Sequence, residues 1–577
     1  MACEERCCVM GQSRCSPRPG QSWSGRAPWR WVNGVSILVE RDHVHTTDWL
    51  TIDCGAQSDN NNNGINWTTD DRYIKTGENK QVLQNKTTLA DQMLNLRYFK
   101  DQNKNCYTLP SFKDMKYLIR AGFYYGNYNG LSKPPVFDLQ FDGNTWVTVV
   151  SLIDEPVYYE VIYLARGDVI SICLARTREN EFPFISSLEA VPLSDGMYQS
   201  MSSDYAYLTS YRYHFGEDGI IGYHVDPSNR VWFPMETKLT NVTADYTSII
   251  DRSYDSPPFS AIRSAVQPPY SDESIILTFP FPAEIQRTNY IALYIAEVFE
   301  FHLREFKVNI NGNDYSVEPI LAEYQVLREL AGNLDSIVGA MNITLSPVEG
   351  SNLPPMINAI EIYTASDMLN VTGTYEVDVE GLANITKGFE KLKGWAGEPC
   401  LPANTIWQWL NCSGGDSVRV TAIYLSRYGL EGPLPMFDQM KALEIIDLHN
   451  NSISGQIPSF LGELPNLKQL NLADNKFSGD VPQSIINNKK LSYKQRSENA
   501  AQETTAVELG GLGLNAPNNN PSPEGFKAEF VTSESNGGPP QATHMESQLY
   551  FDELHDLLRM HGFQLANDEP DDLDHVA

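Results

Sequence analysis

The fold is decided by the stretch KYLIRA at residues 116–121 and by its counterpart NYIALY at residues 289–294. Each stretch alternates its side chains as a half-buried β-strand does. Three further matches follow each stretch in the same order: FDL at 137–139 with FKV at 306–308, DG at 142–143 with NG at 311–312, and ISSLEA at 185–190 with INAIEI at 357–362. This long internal repeat predicts two copies of one domain.

The dipeptides Asp142-Gly143 and Asn311-Gly312 explain the shape of each copy. Both residue pairs supply the positive φ angles that a two-residue hairpin loop requires. Short strands separated by many turn signals favour a sandwich or a barrel. We therefore expect a mainly β protein that contains two tandem β-sandwiches.

Composition and length limit the classes of function and the number of domains. The 577 residues include 43 Lys plus Arg and 73 Asp plus Glu, for a formal net charge of −30. That charge repels a phosphate backbone, so nucleic acid is not an expected partner. No run reaches the roughly 18 to 20 apolar residues of a membrane span, and none is expected in this chain. The length favours about three or four domains.

Several motifs, taken together and in order, resemble a known family. They are WLTIDCG at 49–55, NCY at 105–107, YLIRAGFYYGNY at 117–128 and LPPMINAIEIY at 353–363. These motifs are similar to the malectin-like ectodomain of plant receptor kinases, over roughly residues 48–365. The resemblance implies malectin-like sandwiches that recognise a ligand outside the cell.

A shorter repeat follows. Leu448, Asn451, Ile453, Gly455, Ile457 and Pro458 are answered about 24 residues later by Leu472, Asn475, Phe477, Gly479, Val481 and Pro482. This spacing predicts about three leucine-rich repeats, whose apolar side chains fill the coil and whose Asn side chains bond the backbone. The Gly-X-Ile/Leu/Val-Pro element and GEPC at 397–400 resemble plant extracellular repeats.

The cysteines give a partial prediction. Cys400 and Cys412 are either two free thiols or a small closed loop, and an oxidising compartment favours the disulfide. The sequence leaves the pairing of Cys54, Cys106 and Cys173 open.

The domain organisation follows from these signals. We expect a non-conforming and disordered leader at 1–47, malectin-like lobe 1 at 48–200, lobe 2 at 205–365, a linker at 366–399, the Cys-capped repeats at 400–490, and an acidic disordered tail at 491–577. Within the tail, Tyr550, Leu554, Leu557 and Leu558 share one face of a short amphipathic helix predicted at 546–563. This helix either docks on a partner or packs locally.

The resemblance also suggests where a ligand binds. Aligning the two copies with animal malectin, which binds a glucose disaccharide, places Asn127-Tyr128 and Phe299-Glu300 at an aromatic pair of that protein. Of the two aromatic positions of that pair, only one holds an aromatic residue in each copy. The candidate ligand-binding residues are Tyr124, Tyr125, Asn127, Tyr128, Phe299 and Glu300. Because side chains alternate along a strand, Tyr124 and Tyr125 are not expected both to face inward.

Eight Asn-X-Ser/Thr triplets favour a glycosylated, secreted protein. They begin at Asn66, Asn85, Asn241, Asn342, Asn370, Asn384, Asn411 and Asn450. The first 20 residues have no continuous apolar segment of the kind found in a signal peptide. We nevertheless expect an extracellular or cell-surface location.

Enzymatic activity is not expected. The kinase motifs His-Arg-Asp and Asp-Phe-Gly are missing from the sequence, and no cofactor or metal site is predicted. A glycosidase needs two facing carboxylates, and the acidic candidates are Asp138, Asp142, Glu160, Glu189, Glu297 and Glu300. Glu189 and Glu361 recur in both copies, which favours a structural role. Arg72 and Arg230, each close to an aromatic residue, are expected to pair with carboxylates.

The leading hypothesis is a non-catalytic recognition protein that binds a carbohydrate, either glucose-type or a cell-wall glycan, or a secreted peptide. The second is a structural co-receptor or scaffold that binds another receptor ectodomain. The third is a glycoside-active enzyme.

Overall fold

The computed structural model describes residues 29–32, 35–38, 49–62, 64–84, 89–222, 225–282, 286–300, 302–370, 372–415 and 417–495. The chain divides into the units Met1–Asp48 and Trp49–Ala577. In the first unit, β1 (Trp29–Val32) and β2 (Val35–Leu38) form an antiparallel hairpin within the predicted leader. The predicted helix at 546–563 lies outside the described residues.

Lobe 1 consists of thirteen strands and two short 3-10 helices, Asp70–Arg72 and Asp91–Met93. The strands are β3 (Leu50–Asp53), β4 (Asn60–Asn62), β5 (Ile65–Thr69), β6 (Glu78–Gln81), β7 (Asn95–Tyr98), β8 (Lys104–Pro110), β9 (Lys116–Phe123), β10 (Val136–Phe141), β11 (Asn144–Val150), β12 (Val157–Leu164), β13 (Val169–Arg176), β14 (Phe184–Ile185) and β15 (Ser187–Pro192).

Lobe 2 contains thirteen strands and the short helix α1 (Phe259–Ile262). The strands are β16 (Tyr207–His214), β17 (Phe233–Pro234), β18 (Thr240–Thr243), β19 (Ile250–Asp251), β20 (Ser264–Gln267), β21 (Ile275–Pro280), β22 (Arg287–Ala296), β23 (Arg304–Ile310), β24 (Asn313–Asp314), β25 (Ile320–Ala322), β26 (Val326–Ile337), β27 (Ala340–Pro347) and β28 (Ala359–Ala365).

One large sheet runs through both lobes. Its strand order is β19-β26-β22-β28-β16-β12-β9-β15-β3-β5-β4, with β17 paired to β16. The lobes join where Val161 and Ile162 of β12 pair with Leu208 and Tyr207 of β16. In lobe 1 the order of the second sheet is β11-β10-β13-β8, and in lobe 2 it is β21-β27-β23-β24, with β25 paired to β23. Each lobe also has a small sheet, β14-β7-β6 in lobe 1 and β18-β20 in lobe 2. Each lobe therefore has two larger sheets and a hydrophobic core of its own.

The register of the large sheet shows which residues of the two copies are equivalent. Arg120 of β9 lies opposite Glu189, whereas Ala292 of β22 lies opposite Glu361. Arg120 therefore corresponds to Ala292, one position away from the match suggested by the two stretches. Consequently Tyr117 packs in the core of lobe 1, while Tyr290 lies on the other face of the sheet.

The hairpin turns agree with their sequence. Asp142 and Gly143 have φ angles of +41° and +77°, and Asn311 and Gly312 have +50° and +83°. Asn and Asp tolerate this left-handed region, and Gly enters it without strain. The two turns join β10 to β11 and β23 to β24.

A third region follows lobe 2 and is built on parallel strands. Its helices are α2 (Glu376–Gly388), α3 (Phe460–Glu463) and α4 (Gln483–Ile486), with 3-10 helices at Glu390–Leu392 and Ala403–Thr405. Its strands are β29 (Leu410–Cys412), β30 (Val420–Tyr424), β31 (Glu431–Pro433), β32 (Ile445–Asp447), β33 (Ser452–Gln456), β34 (Gln469–Asn471), β35 (Lys476–Ser478) and β36 (Ser492–Lys494). The sheet orders are β29-β30-β32-β34-β36 and β31-β33-β35.

The repeat asparagines bond the backbone of this region. The Asn451 side chain donates to the carbonyls of Leu425 and Leu448 and accepts from the amide of Leu430. Asn475 makes the equivalent bonds one turn later, among them one from the amide of Ile453. These bonds hold each coil on the one before it, as the sequence predicts.

The segment predicted as a linker, 366–399, is folded. Leu382 and Ile385 of α2 are buried in the core of the repeats, and Asp378 pairs with Arg419 at 2.7 Å. Glu376 and Asp378 in the first turn and Lys387 in the last suit the helix dipole. A helix with one apolar face therefore starts the third region.

Two disulfides are present in the described residues, Cys106–Cys173 between β8 and β13 and Cys400–Cys412, while Cys54 is a buried free thiol. Lys104 of β8 donates to the carbonyls of Glu398 and Leu401, and burial lowers its pKa to about 8. Lobe 1 and the third region therefore contact each other directly. Within the described residues, no helix is long and apolar enough to cross a membrane.

Candidate ligand-binding loops

The aromatic candidates of lobe 1 follow β9 and are buried. Tyr124 and Tyr125 have no exposed surface, and Tyr128 is 8% exposed. Tyr125 and Tyr128 pack edge to face at 5.6 Å within the core of lobe 1. No face of these three rings is open to a sugar.

The expectation that Tyr124 and Tyr125 do not both face inward is wrong, because both side chains are fully buried. The strand ends at Phe123, so the alternation of a strand no longer governs the next two residues. The Tyr124 hydroxyl donates to the Gln84 carbonyl at 3.1 Å. The Tyr125 hydroxyl donates to Asn129 and accepts from the Lys133 amide.

The hairpin β6–β7 and its loop cover this end of lobe 1. The amides of Leu83 and Gln84 both donate to the Gly126 carbonyl, at 2.9 and 3.0 Å. Tyr98 of β7 lies 5.6 Å from Tyr128. The Asn127 side-chain oxygen accepts from the Ser132 amide at 2.8 Å, so it already stabilises the loop. Lobe 1 is therefore closed where the sequence suggested a ligand.

The corresponding loop of lobe 2 follows β22 and is open. Phe299 is half-buried, whereas Glu300 and His302 are exposed. The Phe299 ring lies 5.9 Å from the His302 ring. Tyr324 is half-buried beside this loop, and its hydroxyl donates to Asp245 at 3.0 Å.

We call the residues Asp245, Phe299, Glu300, His302 and Tyr324 the lobe-2 loop surface. Phe299 and Tyr324 pack on a small cluster that includes Tyr246, Val298 and Met356. Each ring is thus anchored on one side and reaches solvent on the other. Such partly buried aromatics are enriched at sites of protein recognition.

A buried ion pair fixes the shape of this loop. The Glu297 carboxylate accepts from the amides of Val298 and Phe299, each at 3.0 Å, and from Arg304 Nε at 2.7 Å. Both charged side chains are almost completely buried. The sequence marked Glu297 only as a candidate acid and gave no sign of Arg304. The two residues meet only in the fold, where the loop after β22 contacts β23.

The recurring glutamates belong to a chain of ion pairs across the large sheet. Arg120 bonds Glu189 at 3.1 Å and Glu160 at 2.7 Å, and Arg212 bonds Glu160 at 2.6 Å and Glu361 at 2.7 Å. We call these five residues the arginine ladder. It crosses the junction of the lobes, so it links them through charge as well as through strand pairing.

The arginines of the ladder keep Glu160 and Glu361 ionised. Burial alone raises the pKa of Glu160, but the charges of Arg212 and Arg120 outweigh burial and lower it to about 2. Burial acts on Glu361 in the same way, and Arg230 and Arg212 lower its pKa. A carboxylate held in this state cannot act as a general acid near neutral pH.

The two arginines that the sequence paired with carboxylates behave differently. Arg230 is fully buried and bonds Asp226 at 2.8 Å. Arg72 lies 3.8 Å from Asp59, so it also pairs with a carboxylate, but this pair is exposed to solvent. The buried Asp70, close to Arg72 in the sequence, is paired by Arg97 at 2.6 Å. The partner lies 27 residues away, which local spacing does not reveal.

Two further candidate acids, Asp142 and Asp138, are also held in bonds with the protein. Asp142 accepts from the Ser171 amide and the Tyr163 hydroxyl, and burial raises its pKa to about 6. Asp138 accepts from the Thr148 hydroxyl at 2.8 Å. Among the described residues, no group of three or more His, Cys, Asp or Glu side chains is placed to hold a metal ion.

Seven of the eight glycosylation candidates lie in the described residues, and all seven are exposed. They are Asn66, Asn241, Asn342, Asn370, Asn384, Asn411 and Asn450. Asn85 lies outside the described residues. Exposure is what a glycan requires of its acceptor.

Comparison with known families agrees with this architecture. The malectin-like domain model matches residues 52–365, more than half of the chain, and the leucine-rich-repeat model matches residues 442–464 and 466–488. The chain belongs to the malectin-like family. This membership confirms the resemblance that the motifs carried.

Malectin-like relatives of the chain come from Arabidopsis thaliana. The probable leucine-rich-repeat receptor-like serine/threonine-protein kinase MEE39 is 29% identical over 70% of this chain and 47% of its own length. A probable leucine-rich-repeat receptor-like protein kinase is 31% identical over 68% of this chain and 46% of its own length. The chain therefore spans about half the length of these curated relatives.

Similar solved structures include receptor ectodomains. The ANX2 ectodomain from Arabidopsis thaliana is 17% identical, covers 56% of this chain and 97% of its own, and superimposes with a TM-score of 0.49. The structure titled plant peptide RALF23 in complex with FER and LLG2 is 16% identical, covers 56% of this chain and 96% of its own, and has a TM-score of 0.47.

Proposed function

We propose that this malectin-like chain is a non-catalytic recognition module of a receptor-like protein and that it binds a positively charged peptide or protein segment. The binding site in this proposal is the lobe-2 loop surface. The observation that carries it is the contrast between the half-exposed Phe299 of lobe 2 and the buried Tyr128 of lobe 1.

The chemistry of the surface favours a cationic polypeptide. Phe299 and Tyr324 supply apolar contact area. Beside them lie two exposed carboxylates, Glu300 and Asp245, and Asp245 accepts a hydrogen bond from the Tyr324 hydroxyl. The net charge of −30 also attracts a basic ligand over a distance. Glu297 and Arg304 preform the loop, which reduces the entropy lost on binding.

A carbohydrate ligand is less well supported. Sugar rings stack on flat aromatic faces, and the rings of Tyr124, Tyr125 and Tyr128 are buried. A cell-wall glycan bound at lobe 2 is therefore an alternative outcome of the test below. A scaffold that binds another receptor ectodomain would use the same surface.

An extracellular location fits the chemistry of the chain. Two disulfides persist in an oxidising compartment. Exposed glycosylation triplets suit passage through the secretory pathway. Treatment of the purified chain with an N-glycosidase should increase its electrophoretic mobility, and an unchanged mobility would contradict secretion.

The ligand test uses the whole chain against an array of peptides of graded charge and an array of cell-wall oligosaccharides. We expect binding to basic peptides that falls at least about tenfold on Phe299→Ala or Glu300→Lys. Tyr270→Ala is the matched control, because Tyr270 is 67% exposed in the same lobe and lies outside the surface. Unchanged binding by Phe299→Ala, or binding to glycans alone, would overturn the proposal.

A further inference from the structure

The last coil of the leucine-rich repeats leaves part of its apolar interior uncovered. One coil earlier, Ile453, Ile457, Leu467 and Leu470 are at most 4% exposed. The equivalent residues of the last coil, Phe477, Val481, Leu491 and Tyr493, are only half-buried. The difference arises because the described part of the chain has no later coil to pack on them.

We call Phe477, Val481, Ile486, Leu491 and Tyr493 the terminal face. Ile486 is 49% exposed. Two strands end their sheets here, β35 in the three-stranded sheet and β36 in the five-stranded sheet. Their outer edges offer backbone amides and carbonyls that are not paired with another described strand.

A polar group on the terminal face also calls for a partner. The Tyr493 hydroxyl is buried and has no hydrogen-bond partner among the described residues. Burial raises the pKa of Tyr493 to about 12, so the hydroxyl keeps its proton and acts as a donor. A carboxylate or a carbonyl from a covering segment would accept that proton.

The charge around the terminal face is opposite to that of the rest of the chain. Lys476, Lys489, Lys490 and Lys494 are exposed in the last coil, against Asp474 and Asp480. This local excess of positive charge stands out in a protein whose net charge is −30. The surface is therefore suited to an acidic, amphipathic segment.

The same chain contains such a segment. From Glu498 onward the sequence has 15 Asp plus Glu and two basic residues, Lys527 and Arg559. Within it, Tyr550, Leu554, Leu557 and Leu558 share the apolar face predicted for a helix at 546–563. We propose that this segment docks on the terminal face and caps the leucine-rich repeats.

The tether makes this docking favourable. The chain leaves the terminal face directly after β36, and about 50 residues separate Gln495 from the segment. The sequence predicts that this tail is disordered, and a disordered linker of that length has an end-to-end distance of about 40 Å, comparable with a small domain. A tether of this kind gives an effective concentration near the millimolar range, so a weak contact is enough.

Hydrogen exchange of the whole chain tests the cap. In the parent chain, we expect slow exchange for the amides of β35 and β36. The double variant Leu554→Asp with Leu557→Asp should speed exchange there at least about tenfold, because it places charge on the apolar face of the segment. Exchange in β32 should stay unchanged, which shows that the repeats remain folded.

The matched control is Gln548→Asp with His555→Asp. It adds the same charge near neutral pH but lies on the opposite side of the predicted helix, so exchange should match the parent chain. Equal exchange in the parent and the Leu554/Leu557 variant would overturn the proposal. Protection that increases with protein concentration would also overturn it, because a second copy would then be the cap.

Discussion

The two lobes share one scaffold but end in different loops. In lobe 1 the loop after β9 is covered by the hairpin β6–β7, and Tyr124, Tyr125 and Tyr128 are core residues. In lobe 2 the loop after β22 holds Phe299 half-exposed above a buried Glu297–Arg304 pair. The same end of the fold is therefore filled by core residues in lobe 1 and leaves an aromatic ring partly exposed to solvent in lobe 2.

The arginine ladder also differs between the two lobes. Lobe 1 supplies Arg120 from the strand position that Ala292 occupies in lobe 2. Glu361 of lobe 2 instead bonds Arg212 and Arg230. The lobes are thus not independent copies, because the lobe-2 arginine Arg212 also holds Glu160 of lobe 1.

The largest expected loss of stability comes from breaking the ion pairs that link the two lobes. Arg212→Met removes a buried charge and leaves Glu160 and Glu361 each without one partner, which should cost about 3 to 5 kcal/mol of unfolding free energy. Denaturant unfolding measures it. Arg252→Met is the control, because its pair with Glu323 is exposed and should contribute less than about 1 kcal/mol. Equal effects of the two substitutions would show that the ladder does not join the lobes.

The second prediction separates the two aromatic positions. Tyr128→Ala should cost about 3 kcal/mol, because it leaves a cavity in the core of lobe 1. Phe299→Ala should cost less than about 1.5 kcal/mol, because half of that ring already contacts water. Thermal unfolding of both variants provides the comparison. A larger loss of stability for Phe299→Ala would reverse the roles assigned to the two lobes.

The third prediction concerns pH and lobe 1. Burial raises the pKa of Asp53 to about 7, against weaker hydrogen bonds from Asn60 and Asn95, and the charges of Asp70 and Asp91 raise it further. The folded state therefore binds the proton more tightly than the unfolded state. The stability that Asp53 contributes is present below about pH 4 and is lost as the pH rises through 7.

Asp53→Asn removes this titration. We expect the variant to be more stable than the parent at pH 7.5, by on the order of 2 kcal/mol, and to lose that advantage near pH 4. Unfolding curves recorded from pH 4 to 7.5 measure the difference. Parallel pH profiles for the two proteins would show that Asp53 does not titrate in this range.

Much of the scaffold could be predicted because it depends on local sequence. The alternation of 116–121, the Asp-Gly and Asn-Gly turns, and the spacing of Asn451 and Asn475 each fix a structure through neighbouring residues. The mainly β fold and the repeats followed from them, and the malectin-like family was indicated by the resemblance of several motifs in order. The site depends on contacts between distant segments, which one sequence does not show.

Three residues illustrate that limit. The burial of Tyr124 depends on a hairpin about 40 residues earlier, whose loop reaches it through Gln84. Arg72 pairs with the exposed Asp59, whereas the buried Asp70 is bonded by Arg97, which lies 27 residues further along the chain. Tyr324 joins Asp245 across 79 residues, so no motif could have placed it on the lobe-2 loop surface.

Hydroxyl-radical footprinting tests the contrast between the lobes most directly. On the free protein, we expect Phe299 to be oxidised at least about tenfold faster than Tyr124, Tyr125 or Tyr128, whose side chains are shielded. A bound basic peptide should then lower the oxidation of Phe299 and Tyr324 and leave lobe 1 unchanged. Equal oxidation of the two loops in the free protein, or ligand protection confined to lobe 1, would contradict the account.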